Sequence, residues 1–405
     1  MTECRMRLGV ISPQDWGLDA CHCSDELPRL PEIGATASNL KARILGNLRT
    51  WLPHYVDAET GAFYGFYRAP DGFREPPQTV NLIAAWLLMA AYDRFHDDSF
   101  LARAVTALDF YYRKFVVSHP MSIVGGGARD GLETHDVWTK FSAEFAIGAL
   151  GLHRRTQDTT WLARAEQSGR YLLQAARHGF APKYDLAEHR WTDHATGWDS
   201  WGRAVEACLL LADATGRAAW RDLAMRWGEH GLAIQAEDGC FYLIDAEYYN
   251  TDLAADELRG LAFLHEVTGE PRYLTAARRF ADWHLANQRP DGAWAMTIDR
   301  DGNIVVPTVG PGDVPNIAIA LLRLYHITAA QQYLDAALRA LKYSLSTQVL
   351  PHSDEPYADN PAICWGFWSW DPYYDYTQSP DQATHHVRGM MFLLDYLDRY
   401  RPQFR

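Results

Sequence analysis

Apolar and polar positions along this chain fall into a long period. A short pattern, an aromatic residue followed by Leu or a polar pair and then Ala, recurs five times. It reads Phe100-Leu101-Ala102-Arg103-Ala104, Trp161-Leu162-Ala163-Arg164-Ala165, Trp220-Arg221-Asp222-Leu223-Ala224, Tyr273-Leu274-Thr275-Ala276-Ala277 and Tyr333-Leu334-Asp335-Ala336-Ala337, at intervals of 53 to 61 residues. Four copies carry a Thr five residues before the aromatic: Thr156, Thr215, Thr268 and Thr328. That Thr ends one helix, and a polar turn such as Thr268-Gly269-Glu270-Pro271 starts the next. Pro271 suits a first helical turn, where its missing N–H costs nothing.

Each unit therefore reads as a helical hairpin. The first helix of a pair is apolar on most sides, as in Leu82 to Tyr92, Phe141 to Leu152 and Ile317 to Tyr325, which marks a buried helix. The second is amphipathic, as in Leu274 to Leu285, with Arg278, Arg279 and Asp282 facing out. Five such pairs run from about Thr79 to about Gln348. An amphipathic helix at Thr36 to Leu52 and an apolar one at Gln382 to Tyr400 supply a sixth. Repeated buried-then-amphipathic pairs make two concentric rings, so the expected fold is all-α, a single-domain (α/α)6 barrel over residues 35–405. An open solenoid is the alternative, but it leaves the two terminal helices without partners. Residues 1–34 are expected to form a loosely attached N-terminal arm.

This reading replaces the two or three domains that 405 residues alone suggest. Hydrophobic residues at 48% and charged residues at 22% are ordinary globular values. A net charge of −13 argues against a nucleic-acid or anionic-membrane surface. The longest apolar stretch, Leu82 to Ala91, is too short to span a bilayer. The six Cys show no zinc-ligand spacing beyond the isolated Cys21-His22-Cys23. No secretory leader pattern opens the chain, and P-loop, GxGxxG, HExxH and GxSxG motifs are missing. We expect a cytoplasmic protein with reduced thiols, no cofactor and no metal, acting as a monomer or homodimer without nucleic-acid or membrane partners. What exceeds the needs of a core is the aromatic content, 13% with 15 Trp and 21 Tyr, which points to a large binding surface.

In such a barrel the segments that lead into the inner helices converge at one mouth, where helix N-termini present free N–H groups. The segments are Gln78 to Asn81, Glu133 to Lys140, Thr196 to Arg203, Tyr248 to Arg259, Gly310 to Asn316 and Ser379 to Arg388. Asp at these places also caps helices, worth about 1 kcal/mol each. Asp136 and Asp199 stand out because each is flanked by indole and cation: His135, Trp138 and Lys140 around the first, Trp198, Trp201 and Arg203 around the second. A carboxyl beside an indole in a partly dry pocket has the raised pKa of a general acid. Tyr249, Asp252, Asp313, Asn316, His385 and His386 join them as substrate-binding candidates. The aromatic run Trp365 to Tyr376, with Trp365, Trp368 and Trp370, reads as a wall on which sugar rings stack. Arg388, Arg203 or Lys140 could hold a substrate carboxylate. A metal held by His385, His386 and Asp381 is short of ligands.

These residues resemble a family. Thr134-His135-Asp136-Val137 looks like the His-Asp motif of unsaturated glucuronyl hydrolases, and Trp198-Asp199-Ser200 is similar to the Trp-x-Asp motif of unsaturated rhamnogalacturonyl hydrolases. Gly312-Asp313 before Ile317 to Leu322 resembles their penultimate inner helix. These are six-hairpin glycosidases of glycoside hydrolase families 88 and 105. The resemblance implies an (α/α)6 fold without a metal. It also implies that Asp199 acts as general acid/base on the double bond of a terminal unsaturated uronate, with Asp136 as its partner. Asp256-Glu257-Leu258-Arg259-Gly260 stands where that family has an Arg-Gly-Gln-Ala-Trp type motif.

Three functions follow. The first is a glycoside hydrolase acting on uronate-containing oligosaccharides. The second is a polysaccharide lyase or a uronate or sugar epimerase on the same fold, with Tyr249, His386 and Lys140 as available bases. The third is a non-catalytic carbohydrate-binding helical-repeat protein.

Overall fold

The corner between paired helices shows why the period exists. Thr156, Thr215, Thr268 and Thr328 each end a helix, and each hydroxyl donates to the carbonyl four residues back at 2.6–2.8 Å. The same oxygen accepts the backbone N–H two residues on, at 3.1–3.3 Å. One side chain thus closes the old helix and orients the start of the next. The following residue takes a left-handed conformation at Gln157, Gly216, Gly269 and Ala329, and Pro271 sits at the start of its helix.

The computed structural model describes residues 10–16, 34–119, 122–192, 201–243, 247–372 and 375–400. Among them are twelve α-helices: α1 (Ala37–Gly46), α2 (Val80–Phe95), α3 (Asp98–Phe115), α4 (Thr139–Thr156), α5 (Thr159–Arg177), α6 (Trp201–Thr215), α7 (Ala218–Ile234), α8 (Thr251–Thr268), α9 (Pro271–Asn287), α10 (Asp313–Thr328), α11 (Gln331–Ser346) and α12 (Pro380–Tyr400). Helix α2 is buried without interruption from Asn81 to Ala91. Helix α9 buries Tyr273, Ala276, Ala277, Phe280, Ala281, Trp283 and His284, a stripe on one side. The even-numbered helices therefore form the inner ring, each packed on its outer partner, with α1 serving α12. Inner neighbours follow the order α2, α4, α6, α8, α10, α12, and α12 packs back on α2. That contact closes the ring, so the fold is an (α/α)6 barrel and the solenoid is excluded.

Ten short strands decorate the mouth: β1 (Tyr67–Arg68), β2 (Phe73–Arg74), β3 (Ala128–Arg129), β4 (Asp136–Trp138), β5 (Lys183–Asp185), β6 (Arg190–Trp191), β7 (Tyr248–Asn250), β8 (Thr297–Asp299), β9 (Ile304–Val306) and β10 (Thr377–Gln378). They pair antiparallel in three sheets, in the orders β10-β1-β2, β3-β4-β5-β6 and β7-β8-β9.

Residues 10–16 depart from the loose attachment expected of the arm. Val10 and Ile11 are buried, and their carbonyls accept from Arg388, Ile11 at 3.0 Å. Asp15 bridges Arg154 at 2.9 Å and Arg155 at 3.1 Å. Burial alone would raise its carboxyl, but the two guanidinium groups hold it below the ordinary value. Ser12 donates to Asp93 at 2.6 Å. Asp93, Arg154 and Arg155 lie in the last turns of α2 and α4, so this segment packs at the barrel end opposite the mouth. Among the described residues no helix is long and apolar enough to cross a membrane.

Candidate functional site

The N-termini of the inner helices open into a cavity of about 460 Å³. Its polar lining comes in tiers because charged residues on these helices repeat at i, i+4, which stacks them one turn apart on one face. Lys140 and Glu144 on α4, Asp252 and Asp256 on α8, and Asp381 and His385 on α12 are such pairs, and all six line the cavity. Asp313 and Asn316 on α10, Arg203 on α6, Asp130 and Trp370 complete the part that matters here.

The upper tier is three carboxyls around one ammonium. Lys140 Nζ lies 2.7 Å from Asp252 Oδ2. Asp313 accepts from Thr251 Oγ1 at 2.8 Å. Burial, reinforced by the charge of Asp252, pushes Asp313 up to about 8, against the pull of Thr251 and Lys140. Burial and Asp252 likewise raise Asp381 to about 6, although 38% of its side chain stays open, on the cavity side. Lys140 would lose affinity for its proton through burial, but Asp252, Glu144 and Asp256 more than reverse this.

The lower tier is an ionic lattice. Arg203 reaches Glu206 at 2.8 Å, Asp256 at 2.5 Å and Glu144 at 3.7 Å. Arg259 reaches Glu206 at 2.7 Å and Asp256 at 3.0 Å. Glu144, buried, rises to about 7 despite Lys140 and Arg203. Burial and the cations Arg388, Arg203 and Lys140 hold His385 well below its ordinary value, so its imidazole is neutral at pH 7. Its Nε2 stands 3.7 Å from Asp381 Oδ1. Beneath these groups Trp86 receives the guanidinium groups of Arg203 and Arg388 at 5.1 and 5.5 Å from its ring centroid.

Of the residues singled out from sequence, the fold brings Lys140, Arg203, Asp252, Asp313, Asn316, Trp370 and His385 together. Others lie elsewhere for local reasons. His386 follows His385 by about 100° of helical turn; it is buried, stacks on Phe367 at 4.1 Å and bonds Ser344 at 2.7 Å. Arg388 is buried against the carbonyls of Val10 and Ile11, so it does not offer its fork to a substrate carboxylate. Tyr249 is fully buried on β7, its hydroxyl 2.9 Å from His284 Nε2, and so is removed from the set of bases. Asp136 is on β4 and pairs with Lys183 at 2.8 Å; Lys183 also covers the Trp138 ring, and His135 is exposed at the strand's edge. Trp368 is buried, its Nε1 3.3 Å from Glu355. Trp365 packs beside Gly46 of α1, where a Cβ would meet its ring at 2.4 Å. The expected aromatic wall thus reduces, among the described lining residues, to Trp370. Trp198 and Asp199 lie outside the described residues.

The sequence pattern singles out neither Glu144 nor Asp130, and it brings in Asp256 and Asp381 without assigning them to the substrate site. For Glu144, Asp256 and Asp381 the available signal was a charged or polar residue four positions away on the same helix; Asp130 lies outside the helices.

No protein-family profile and no curated protein sequence matches the chain. Solved structures do match. A D-mannose isomerase aligns with a TM-score of 0.69 and 15% identity over 90% of this chain and 99% of that one. A cellobiose 2-epimerase from Bacillus thermoamylovorans B4167 aligns with 0.70 and 13% over 89% and 98%. The unsaturated glucuronyl hydrolase of Bacillus sp. GL1 aligns with 0.63 and 13% over 88% and 96%. At these identities the likeness establishes the shared barrel.

Proposed function

We propose that this chain is a carbohydrate-processing enzyme, and specifically a glycoside hydrolase that uses Asp313 as general acid and Asp252 as its carboxylate partner. One observation carries the reading: two carboxyls on adjacent inner helices have unlike surroundings. Asp313 is buried and holds its proton to about pH 8, while Asp252 is ion-paired with Lys140 at 2.7 Å. A carboxyl that stays protonated at neutral pH can hand its proton to a glycosidic oxygen. A carboxylate next to it can activate water or face the positive charge that develops on the sugar ring. The remaining carboxylates of the cavity add negative potential where that charge forms, and Trp370 offers a flat apolar face to the ring. The barrel is shared with an unsaturated glucuronyl hydrolase responsible for the degradation of glycosaminoglycan, which supports a carbohydrate substrate in general.

A uronate is the substrate the cavity charge supports least. Lys140 and Arg203 are cations of the described wall, and both already face carboxylates. The competing assignment, with Asp199 as general acid/base and Asp136 as its partner, is tested by their Asn variants in the same assay.

A sugar isomerase or epimerase is the second reading, favoured by His385. A neutral imidazole on the cavity wall can take a proton from carbon beside a carbonyl, and two neighbours of this fold are described as an isomerase and an epimerase. The deciding experiment offers neutral glycosides, saturated and 4,5-unsaturated uronate oligosaccharides, and free D-mannose and cellobiose. New reducing ends from neutral glycosides support the proposed form. Loss of ultraviolet absorbance means unsaturated-uronyl hydrolysis, and a gain means lyase. Deuterium uptake at C2 of the free sugars means the second reading. No product from any of them overturns both.

A further inference from the structure

Donors and acceptors in the upper tier do not balance. Asp252, Asp313 and Asp381 come from the first turns of α8, α10 and α12 and are close enough to feel one another's charge. Lys140 is the cation set among them, bound to Asp252 at 2.7 Å. One ammonium cannot neutralise three carboxylates: at neutral pH Asp313 keeps its proton, while Asp381, raised only to about 6, is mostly charged. The lower tier does not supply a second cation. Arg203 is committed to Glu206 and Asp256, and His385 is neutral at pH 7.

A second observation points the same way. Asn316 and His385 stand on the cavity wall and are each more than nine-tenths buried. Among the described residues, Asn316 Oδ1 and His385 Nδ1 have no hydrogen-bond partner. With Nε2–H assigned toward Asp381, Nδ1 is an acceptor, so both unmatched atoms call for a donor. A ligand that fits brings positive charge and N–H groups without acceptors, which describes an ammonium. A metal ion fits less well, because among the described residues no group of three His, Cys, Asp or Glu stands at metal-ligand spacing.

We propose that the site takes a sugar carrying a protonated amine, with the ammonium seated against Asp381 and Asp252. The inference rests on reading the cavity as a sugar site. The groups that face Asp381 are Asp252 and Asp313 from α8 and α10, Lys140 from α4 and His385 from its own helix. An arriving ammonium lowers the proton affinity of Asp381 and Asp313, so binding releases protons.

Calorimetry on the full chain at pH 6 tests this, using D-glucosamine and D-mannosamine against D-glucose, D-mannose and N-acetyl-D-glucosamine, with ethanolamine as a non-sugar control. The amino sugars should bind at least ~10-fold tighter than their neutral counterparts. They should also release part of a proton, read from how the heat varies among buffers. D381N should abolish both effects. The wild type at pH 4.5, where Asp381 is protonated, should lose the preference too, which keeps the test usable if D381N does not fold. Equal binding of neutral sugars, an equal gain with ethanolamine, or a preference that survives D381N overturns the proposal. Amino-sugar preference without glycoside turnover defeats only the hydrolase reading. Turnover of neutral glycosides without the preference defeats only this one.

Discussion

Asp313 opens α10, a position that by itself favours a carboxylate, because a helix N-terminus is partly positive. Burial and the nearby Asp252 outweigh that and raise it to about 8. A pH dependence of stability follows. Between pH 7.5 and 8.5 the buried histidines, whose folded values are lowered, are almost wholly unprotonated in both states. Asp313 still holds much of a proton that the unfolded chain has released, so stability falls as pH rises across this window. Thermal unfolding at pH 7.5 and 8.5 checks the sign, and D313N should flatten the slope. Sequence could place Asp252, Asp313, Lys140 and Arg203 together because all four occupy first turns of inner helices. It could not choose between His385 and His386, since adjacent residues on a helix face different ways and only packing decides which meets the cavity. Arg388 misled for a similar reason: its partners are carbonyls at positions 10 and 11, remote in sequence.

At the level of elements, the helices were legible because pattern and chemistry agree. An apolar helix, a Thr corner and an amphipathic helix together leave few alternatives. Thr268→Val removes the bond to Leu264 at 2.6 Å and the one from Glu270 at 3.1 Å. It should lower stability by about 1 kcal/mol, measurable by urea unfolding. The ionic lattice under the site was hidden because its members lie within helices that read as apolar. Arg203→Met would leave Glu144, Glu206 and Asp256 facing each other in a buried place. A loss of about 3–5 kcal/mol is expected, and an unchanged unfolding midpoint would show that the lattice matters less than its burial implies.

On the scale of the whole molecule, the two ends of the barrel differ. One gathers six helix N-termini and the charged cavity; at the other, residues 10–16 pack across the ends of α2 and α4. A chain lacking residues 1–16 strips Arg388 of its carbonyl partners and Arg155 of Asp15. It should unfold at a clearly lower temperature, whereas an equal midpoint would mean that the segment is dispensable. The excess of acidic residues has a local counterpart at the mouth, where carboxyls outnumber cations among the described lining residues. Closure of the ring was foreseeable from the helix count, while the packing of residues 10–16 at the end opposite the mouth was not. The proposed hydrolysis depends on the proton of Asp313. The direct measurement is kcat on a hydrolysed glycoside for the wild type and D313N from pH 6 to 9. We predict a wild-type decline through about pH 8 and a ~10²–10⁴-fold lower rate in D313N; near-wild-type turnover by D313N would contradict it.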